Sequence, residues 1–413
     1  MVGYSTMKEV LLWVQTTKSC EVKFAYWKLG DPGNKFSTEE VITQKDQAYV
    51  AKLVADEIEP GQKYGYQLYI NSKLVKRPYR LTFQSQPLWQ YRTDPPPFKF
   101  IVGSCAYINE AAYDRPGDGY GGDYEIFGSI YKEGADFMVW MGDNTYLREA
   151  DWNSRTGIYH RYTHTRSTKE IQPVFGSMHH YAIWDDHDYG PNDSDRSFWN
   201  KEITTEAFKL FWGNPNYGVT GMGGVAGTFF WNDVQFFLLD DRYFRSPKHR
   251  TDGSPRTILG KEQYQWLIDA LTFSRASFKF IVIGSQVLNT AKAGENYANY
   301  AEERQKLIEA IFDSKASGVV FLDGDRHYTE LSVLNEARQY PLYDLTVSPL
   351  TAGVYNPKDE KNDLRVPETL VVERNYGLLE ISGPRKDRVL SIKIKNKEGK
   401  LLWENKIRAA DLK

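Results

Sequence analysis

The sequence has few cysteines, no long hydrophobic run and no excess of charge of either sign. Cys20 and Cys105 are the only cysteines among 413 residues, which excludes a fold held together by several disulfides. The two lie in regions of different strand and helix pattern, and Cys105 ends a run expected to form a buried strand. We therefore expect no disulfide between them.

No stretch approaches the roughly 20 apolar residues of a membrane-spanning helix. The 52 basic and 54 acidic residues nearly cancel, which gives no sign of a nucleic-acid partner or a polybasic membrane patch. Met1 leads into a strand-like run without the features of a signal peptide. We predict a periplasmic or secreted protein whose signal peptide is absent from this sequence, with a cytoplasmic protein as the alternative.

The N-terminal part shows short alternating runs typical of antiparallel strands. They include 9–15, 21–27 and 63–70. An immunoglobulin- or fibronectin-like β-sandwich domain over residues 1–93 is therefore predicted. Asp94-Pro-Pro-Pro97 would form a stiff linker to the next domain.

From residue 98 onward, strand-like runs alternate with helical ones, which predicts a layered α/β domain over residues 98–413 that ends in a C-terminal β-hairpin. Two segments, 150–200 and 285–300, are expected to be largely loops that shape a binding pocket. The predicted helices lie at 124–133, 201–211, 261–271 and 302–312, and predicted strands include 137–141, 228–231, 234–239, 278–283 and 319–322.

Four apolar runs end in turns that carry potential metal ligands. Side chains at the carboxyl ends of strands lie where α/β sheets build their sites. Carboxylates suit hard cations, whereas thiolate, phenolate and imidazole suit transition metals. The turns are Gly103-Ser-Cys105, Gly142-Asp143-Asn-Thr-Tyr146, Trp184-Asp-Asp186-His187-Asp188 and Gly324-Asp325-Arg-His327.

Each turn has an ordinary alternative interpretation. Asp143 can bridge two cations and Tyr146 can return to the same centre, or the first caps a turn and the second is only packed. The acidic turn around Asp186 follows a buried run, which favours a metal or catalytic role over a solvated surface turn. Asp325 and His327 project to the same side of an extended segment. Cys105 is either a ligand or an inert buried residue.

Taken in order, these four motifs resemble those of the PhoD-type alkaline phosphatases within the calcineurin-like metallophosphoesterases, and the likeness covers residues 1–405. The resemblance implies a four-layer sandwich of two central mixed β-sheets flanked by helices. It also implies Fe³⁺ beside one or two Ca²⁺ ions. The implied roles are iron ligation by Cys105, Tyr146 and His327, bridging by Asp143, calcium ligation by Asp186 and Asp325, and phosphate contact by His187.

Two departures from the family pattern concern the second calcium and the metal-ligand histidine. Asp188-Tyr-Gly-Pro-Asn192 replaces the usual glutamate-containing run, and Gly284-Ser-Gln286 offers Ser or Gln where many relatives offer His. Arg161 and Arg166, in an aromatic and basic stretch, are candidate phosphate clamps because arginine binds phosphate in a bidentate manner.

The predicted function is metal-dependent hydrolysis of phosphate monoesters, diesters or both, with His187 and Asp143 as catalytic residues. The first alternative is a phosphodiesterase or phospholipase D-like enzyme with the same metals. The other is a calcium-binding adhesion or scaffold protein, which would have no need of thiolate, phenolate or imidazole. We expect a small-molecule phosphoester as partner, no nucleic acid, no membrane span and a monomer.

Overall fold

The structure is a computed structural model that describes residues 1–218, 221–337 and 339–413. Its strands are β1 (Val2–Ser5), β2 (Val10–Gln15), β3 (Glu21–Lys28), β4 (Phe36–Ser37), β5 (Val41–Ile42), β6 (Val50–Ala55), β7 (Lys63–Ile70), β8 (Lys73–Val75), β9 (Thr82–Gln84), β10 (Phe98–Gly103), β11 (Phe137–Met141), β12 (His179–Ile183), β13 (Gly227–Trp231), β14 (Val234–Leu238), β15 (Lys279–Val282), β16 (Val319–Asp323), β17 (Glu330–Leu334), β18 (Leu342–Thr346), β19 (Asn375–Ser382), β20 (Val389–Asn396) and β21 (Leu401–Arg408).

The α-helices are α1 (Glu125–Glu133), α2 (Arg155–Ser167), α3 (Gln172–Ser177), α4 (Asp186–Tyr189), α5 (Lys201–Phe211), α6 (Lys261–Phe273) and α7 (Ala301–Asp313). Short 3₁₀ helices lie at Lys45–Gln47, Tyr297–Tyr300 and Ala409–Asp411. The helices and strands predicted from residue 124 to 322 agree with these bounds to within about two residues, which is the usual uncertainty of element ends.

Two mixed sheets form the body of the molecule. The larger has the order β21-β20-β19-β10-β11-β12-β1-β2-β6, with β10, β11, β12 and β1 parallel to one another. The second has the order β13-β14-β15-β16-β18-β17, with β14, β15, β16 and β18 parallel. Both sheets therefore direct several carboxyl ends toward one edge, where a site can be built.

The two sheets pack face to face through aromatic side chains. The ring of Phe100 on β10 lies 5.3 Å from that of Phe236 on β14, and the rings of Tyr181 and Phe229 stack at 3.6 Å. Strand residues alternate between the two faces of a sheet, so the next residue, Phe237, points outward and packs against Trp266 of α6 at 6.2 Å. Helices thus cover the outer face of the second sheet.

Helices α1, α2, α3 and α5 cover the outer face of the larger sheet, where their buried residues share a core with Trp140 of β11 and Ile101 of β10. The mixed α/β character predicted from the sequence is confirmed. A separate N-terminal domain of immunoglobulin type is not confirmed, because β1, β2 and β6 extend the larger sheet and β1 pairs directly with β12.

The N-terminal strands nevertheless make a two-sided core. A third sheet, built around β3 and β7, packs on the sheet formed by β1, β2 and β6 through residues such as Leu12, Leu53 and Tyr26. The proline segment lies on the body of the molecule, since the Arg388 guanidinium donates to the carbonyls of Pro95 (3.0 Å) and Pro96 (3.2 Å).

Helices α2 and α3 correct the expectation that residues 150–200 are largely loops. The buried residues of α2 include Arg161, Thr165 and Arg166, so its inward face lacks the apolar periodicity that identifies a helix in sequence. The expected absence of a disulfide is confirmed, because Cys20 and Cys105 are both free and buried. Within the described ranges, no helix has the length and apolar character needed to cross a membrane.

Candidate metal centre

The carboxyl ends of β10, β11, β12 and β16 converge, and their loops are joined by backbone hydrogen bonds. The Cys105 amide donates to the Gly142 carbonyl at 3.2 Å, and the Ala106 amide donates to the Asp143 carbonyl at 2.8 Å. The His187 amide donates to Asp143 Oδ1 at 3.2 Å. Asp143 therefore lies between the turns that follow β10 and β12.

One group of donors combines sulfur, oxygen and nitrogen. Ligand atoms of Cys105, Asp143 and His327 all lie within 4.8 Å of one another, and Cys105 Sγ is 3.7 Å from Asp143 Oδ2. Tyr146 joins this group, because its hydroxyl is 3.2 Å from His327 Nε2. The other ring nitrogen of His327 is 3.0 Å from the Tyr120 hydroxyl. This donor set fits a transition metal.

A second group of donors shares Asp143 with the first. It consists of Asp143, Asp186 and His187, again within 4.8 Å. The ring of His187 lies against that of Tyr146, with centroids 4.3 Å apart. Asp325 is not a member of either group among the described residues, but the preceding Gly324 lies against the turn of Cys105, since a Cβ there would be 2.4 Å from Ser104 Oγ.

The turns that carry these side chains have unusual backbone conformations. Cys105, Asp143, Asp325 and His327 all have φ between 53° and 61°, a region that side-chain-bearing residues rarely adopt. Gly142, with φ of 92°, leaves room for the next turn, since a Cβ there would lie 2.6 Å from Asp185 Cβ. Such outliers cluster at functional sites, where surrounding structure fixes them.

The acidic groups of the cluster are buried close to one another, which makes their ionised forms unfavourable without a cation. Burial, followed by Asp186 and Cys105, raises the pKa of Asp143 well above its usual value. Burial raises the pKa of the Cys105 thiol to about 11, and burial with Glu295 raises the pKa of Asp325 to about 7. Buried charges are unfavourable unless they are paired or bind metal, so a bound cation would stabilise the ionised forms.

Unsatisfied oxygen atoms support the same fit. Asp186 Oδ1, Asp325 Oδ2 and Asn144 Oδ1 are buried and have no hydrogen-bond partner within the described part of the chain. Buried carboxylate and amide oxygens normally have partners, and oxygen ligands of this kind suit calcium. The residues present therefore fit a two-metal centre with one sulfur- and nitrogen-rich end and one oxygen-rich end.

Sequence reasoning missed an ionic network beneath this centre. Arg242 is fully buried and donates to Asp185 Oδ1 at 2.5 Å and to Glu295 Oε1 at 2.7 Å. Arg245 adds a 3.0 Å ion pair to Glu295. Asp185, Asp186 and Glu295 could hold an ion by distance alone, but the two guanidinium groups already neutralise most of that charge. We therefore assign this third group a supporting role.

Little in the sequence identifies that network. Arg242 follows β14 in a run that also contains Asp240 and Asp241, so an acidic-basic turn after a strand was the only available signal. Glu295 comes from a segment without strand or helix pattern. Gln286 does not reach the centre, since its side-chain amide donates to Glu330 (3.1 Å) and Thr346 (2.7 Å).

The structure does not bring Arg161 and Arg166 to the metal ligands. Arg161 is enclosed by ion pairs to Glu110 (2.6 Å) and Asp151 (2.8 Å). Arg166 donates to the Phe211 carbonyl, at 3.2 Å from Nε and 2.9 Å from Nη2. Both belong to α2, where these partners already accept hydrogen bonds from their guanidinium groups, so the phosphate-clamp role stays a prediction.

Comparison with known proteins finds a matching family model and a similar curated protein. Residues 225–382 match the family model of the PhoD-like phosphatases. Alkaline phosphatase D of Bacillus subtilis (strain 168) is 22% identical over 344 residues, which are 70% of this chain and 55% of that protein. The chain thus spans about half the length of this curated relative.

Two solved structures share the fold. One, described as PhoD, superposes with a TM-score of 0.78 at 17% identity and covers 98% of this chain and 91% of the other. The yellow lupin (Lupinus luteus) purple acid phosphatase PPD1 superposes with a TM-score of 0.69 at 12% identity, covering 98% and 73%. At these identities the superpositions show the fold alone.

Proposed function

We propose that this chain, whose resemblance to the PhoD-type alkaline phosphatases is confirmed by the family match, is a metal-dependent phosphoester hydrolase. The observation that carries the proposal is the pair of three-ligand groups that share Asp143, one with a thiol and an imidazole and the other rich in oxygen. A carboxylate shared by two cation sites can hold two cations close together, as two-metal hydrolysis needs.

The two ends of the centre suit different ions. Cys105, Tyr146 and His327 would hold Fe³⁺, because thiolate and phenolate favour a strong Lewis acid. Asp186 and Asp325 would hold Ca²⁺, and Asp143 would contact both. When bound, the cations supply Lewis-acid polarisation of a phosphoryl oxygen and lower the pKa of water.

Side chains of the protein would orient the substrate and donate hydrogen bonds to it. The His187 side chain is half-buried, and its ring is fixed against Tyr146, so one nitrogen can reach a phosphoryl or leaving oxygen. Tyr120 is 47% exposed and contacts His327, which places a phenol at the entrance to the centre. An extracytoplasmic location and a monomeric state stay predictions.

A calcium-binding scaffold explains this site less well. Such a protein needs oxygen ligands only, whereas here Cys105 and His327 lie in the same ligand group as Asp143. A phosphodiesterase or phospholipase D-like enzyme would use the same metals, so a matched pair of substrates must separate it from a monoesterase.

Asp143→Ala tests the proposal, because this change removes the carboxylate common to both ligand groups. We expect hydrolysis of 4-nitrophenyl phosphate and of bis(4-nitrophenyl) phosphate to fall by at least about 10³-fold, since one oriented electrostatic group alone is worth roughly that much. Asp252→Ala, which removes an exposed carboxylate, is the matched control. Wild-type turnover in a folded Asp143→Ala variant would refute the shared-metal site.

A further inference from the structure

A large cavity lies between the N-terminal strands and helices α2 and α3. Its volume is about 1020 Å³, and its described lining shares no residue with the ligand groups of the metal centre. Small-molecule sites have volumes of roughly 300–1,000 Å³, so this cavity could enclose most of a ligand of that class.

The lining is apolar and cationic. Among the described residues that line the cavity there is no Asp or Glu, although the chain has 54 acidic residues. Three cationic residues of the lining, Lys45, Arg77 and Lys169, are exposed and so lie at its rim. A cleft lined by charge of one sign attracts ligands of the opposite sign.

At the inner end lies Arg166, which is 4% exposed and forms no ion pair with a carboxylate within the described ranges. Its Nε and Nη2 donate to the Phe211 carbonyl, at the end of α5. The third nitrogen, Nη1, donates to no described residue, and it is not one of the fully buried atoms without a partner, so it is accessible from the cavity that Arg166 lines. Nη1 can therefore donate a hydrogen bond to a ligand.

Burial lowers the pKa of Arg166 to about 10, and the buried Asp188 opposes this shift without forming an ion pair with the guanidinium in the described ranges. The guanidinium lies over the aromatic ring of Trp212, at 4.6 Å, and those of Phe211 and Tyr162, which stabilise a cation without cancelling it. Lys52 lies nearby, and its pKa is lowered to about 8 by burial and then by Arg166. Backbone carbonyls at the end of α5 explain the positions of both cations, but they do not explain why the described lining of the cavity has no acidic residue.

Aromatic side chains supply a place for the body of a ligand. Trp13, Tyr49, Tyr66 and Phe175 all line the same cavity. We propose that it binds a small soluble anion with an apolar or aromatic body, the anionic group on Arg166 and the body against these rings. The rim cations would steer such a ligand inward.

Three fluorescence and competition measurements test the proposal on the whole protein. The probe is 8-anilino-1-naphthalenesulfonate, which is not a phosphoester and is not hydrolysed. N-phenyl-1-naphthylamine has the same body without the anionic group, and inorganic sulfate has the anion without the body. We expect one binding site for the sulfonate, affinity for the neutral amine at least tenfold weaker, and no displacement by millimolar sulfate.

Charge variants locate the site. Arg166→Met should weaken sulfonate binding by roughly tenfold, the value of one charge-assisted hydrogen bond, and leave binding of the neutral amine unchanged. The double variant Arg77→Gln/Lys169→Gln should weaken sulfonate binding severalfold and reduce the dependence of that binding on salt. Lys400→Gln, which removes an exposed cation elsewhere, should change nothing.

Equal binding of the sulfonate and the neutral amine would overturn the proposal, as would no binding at all. If Arg166→Met is folded, unchanged sulfonate affinity overturns it. If that variant does not fold, unchanged affinity in the rim double variant overturns it. Asp143→Asn should bind the sulfonate like the parent, because the cavity is separate from the metal centre.

Discussion

Four residues of the metal centre combine a needed side chain with a backbone conformation that costs free energy. Cys105, Asp143, Asp325 and His327 all have positive φ, and each such residue costs about 1–3 kcal/mol. Four such costs in one cluster are comparable with a typical folding free energy of about 5–15 kcal/mol. The strain indicates that function, and not stability, determines these positions.

At the same scale, Arg242 is the residue whose loss we expect to be most damaging outside the ligands. Arg242→Met would leave Asp185 buried without its counter-charge and Glu295 paired with Arg245 alone. We expect a loss of about 3–5 kcal/mol in unfolding free energy, measured by urea denaturation, together with reduced metal retention.

Arg250→Met is the matched control, because Arg250 forms only a surface ion pair with Asp252. Its denaturation midpoint should equal that of the parent. A normal midpoint in Arg242→Met would show that the buried network does not support the centre.

Five of the site residues predicted from the sequence follow strongly apolar strands. Cys105, Asp143, Asp186, His187 and His327 share this position, and the structure brings them together. Arg242, Glu295 and Tyr120 were missed because their roles depend on contacts between distant segments. Arg161 and Arg166, predicted as phosphate clamps, lie on the buried face of α2, and composition alone does not show which face of a helix is buried.

At the scale of the element, glycine allows the strand ends to approach one another. Gly142→Ala should destabilise the protein by at least about 1–2 kcal/mol, because φ of 92° is unfavourable for alanine and the new Cβ would meet Asp185 at 2.6 Å. The thermal unfolding temperature and the rate of aryl phosphate hydrolysis should both decrease.

Gly128→Ala in α1 makes the same chemical change where nothing lies within 4 Å of the new Cβ. Because the position is helical, the unfolding free energy of this variant should increase by about 0.5–1 kcal/mol, and the variant should keep the activity of the parent. Equal unfolding temperatures in the two variants would show that the close approach of Gly142 to Asp185 does not constrain the site.

Elements also differ in how well sequence defines them. Strands such as β11 and β16 are buried throughout, so an apolar run of five residues marks the first and one of four residues marks the second. Helix α5 has a clear apolar face, whereas α2 buries arginine and tyrosine and was taken for a loop. Periodicity finds helices whose inward face is apolar and misses the others.

For the whole molecule, the N-terminal region completes the larger sheet. β1 pairs with β12, and the Trp13 indole donates to the Leu210 carbonyl at 3.0 Å. Sequence predicted the strands but not the sheet they join, because pairing across more than 170 residues leaves no local signal. A chain without residues 1–93 would expose the edge of β12.

We therefore expect residues 94–413 alone to aggregate and to lack a cooperative thermal transition, as measured by size-exclusion chromatography and circular dichroism. A monomeric, cooperatively folded and active fragment would instead support the independent domain boundary that the proline segment suggested.

The central claim is that the strand-end turns form a metal centre in which Cys105 is a ligand. Elemental analysis of the protein purified without chelators tests this most directly, with Cys105→Ser compared with Cys20→Ser. Both changes remove a buried, free thiol, but only Cys105 lies within a ligand group. The account predicts that Cys105→Ser loses most of its iron while Cys20→Ser retains the content of the parent. Equal iron in the two variants, or none in an active parent, would contradict it.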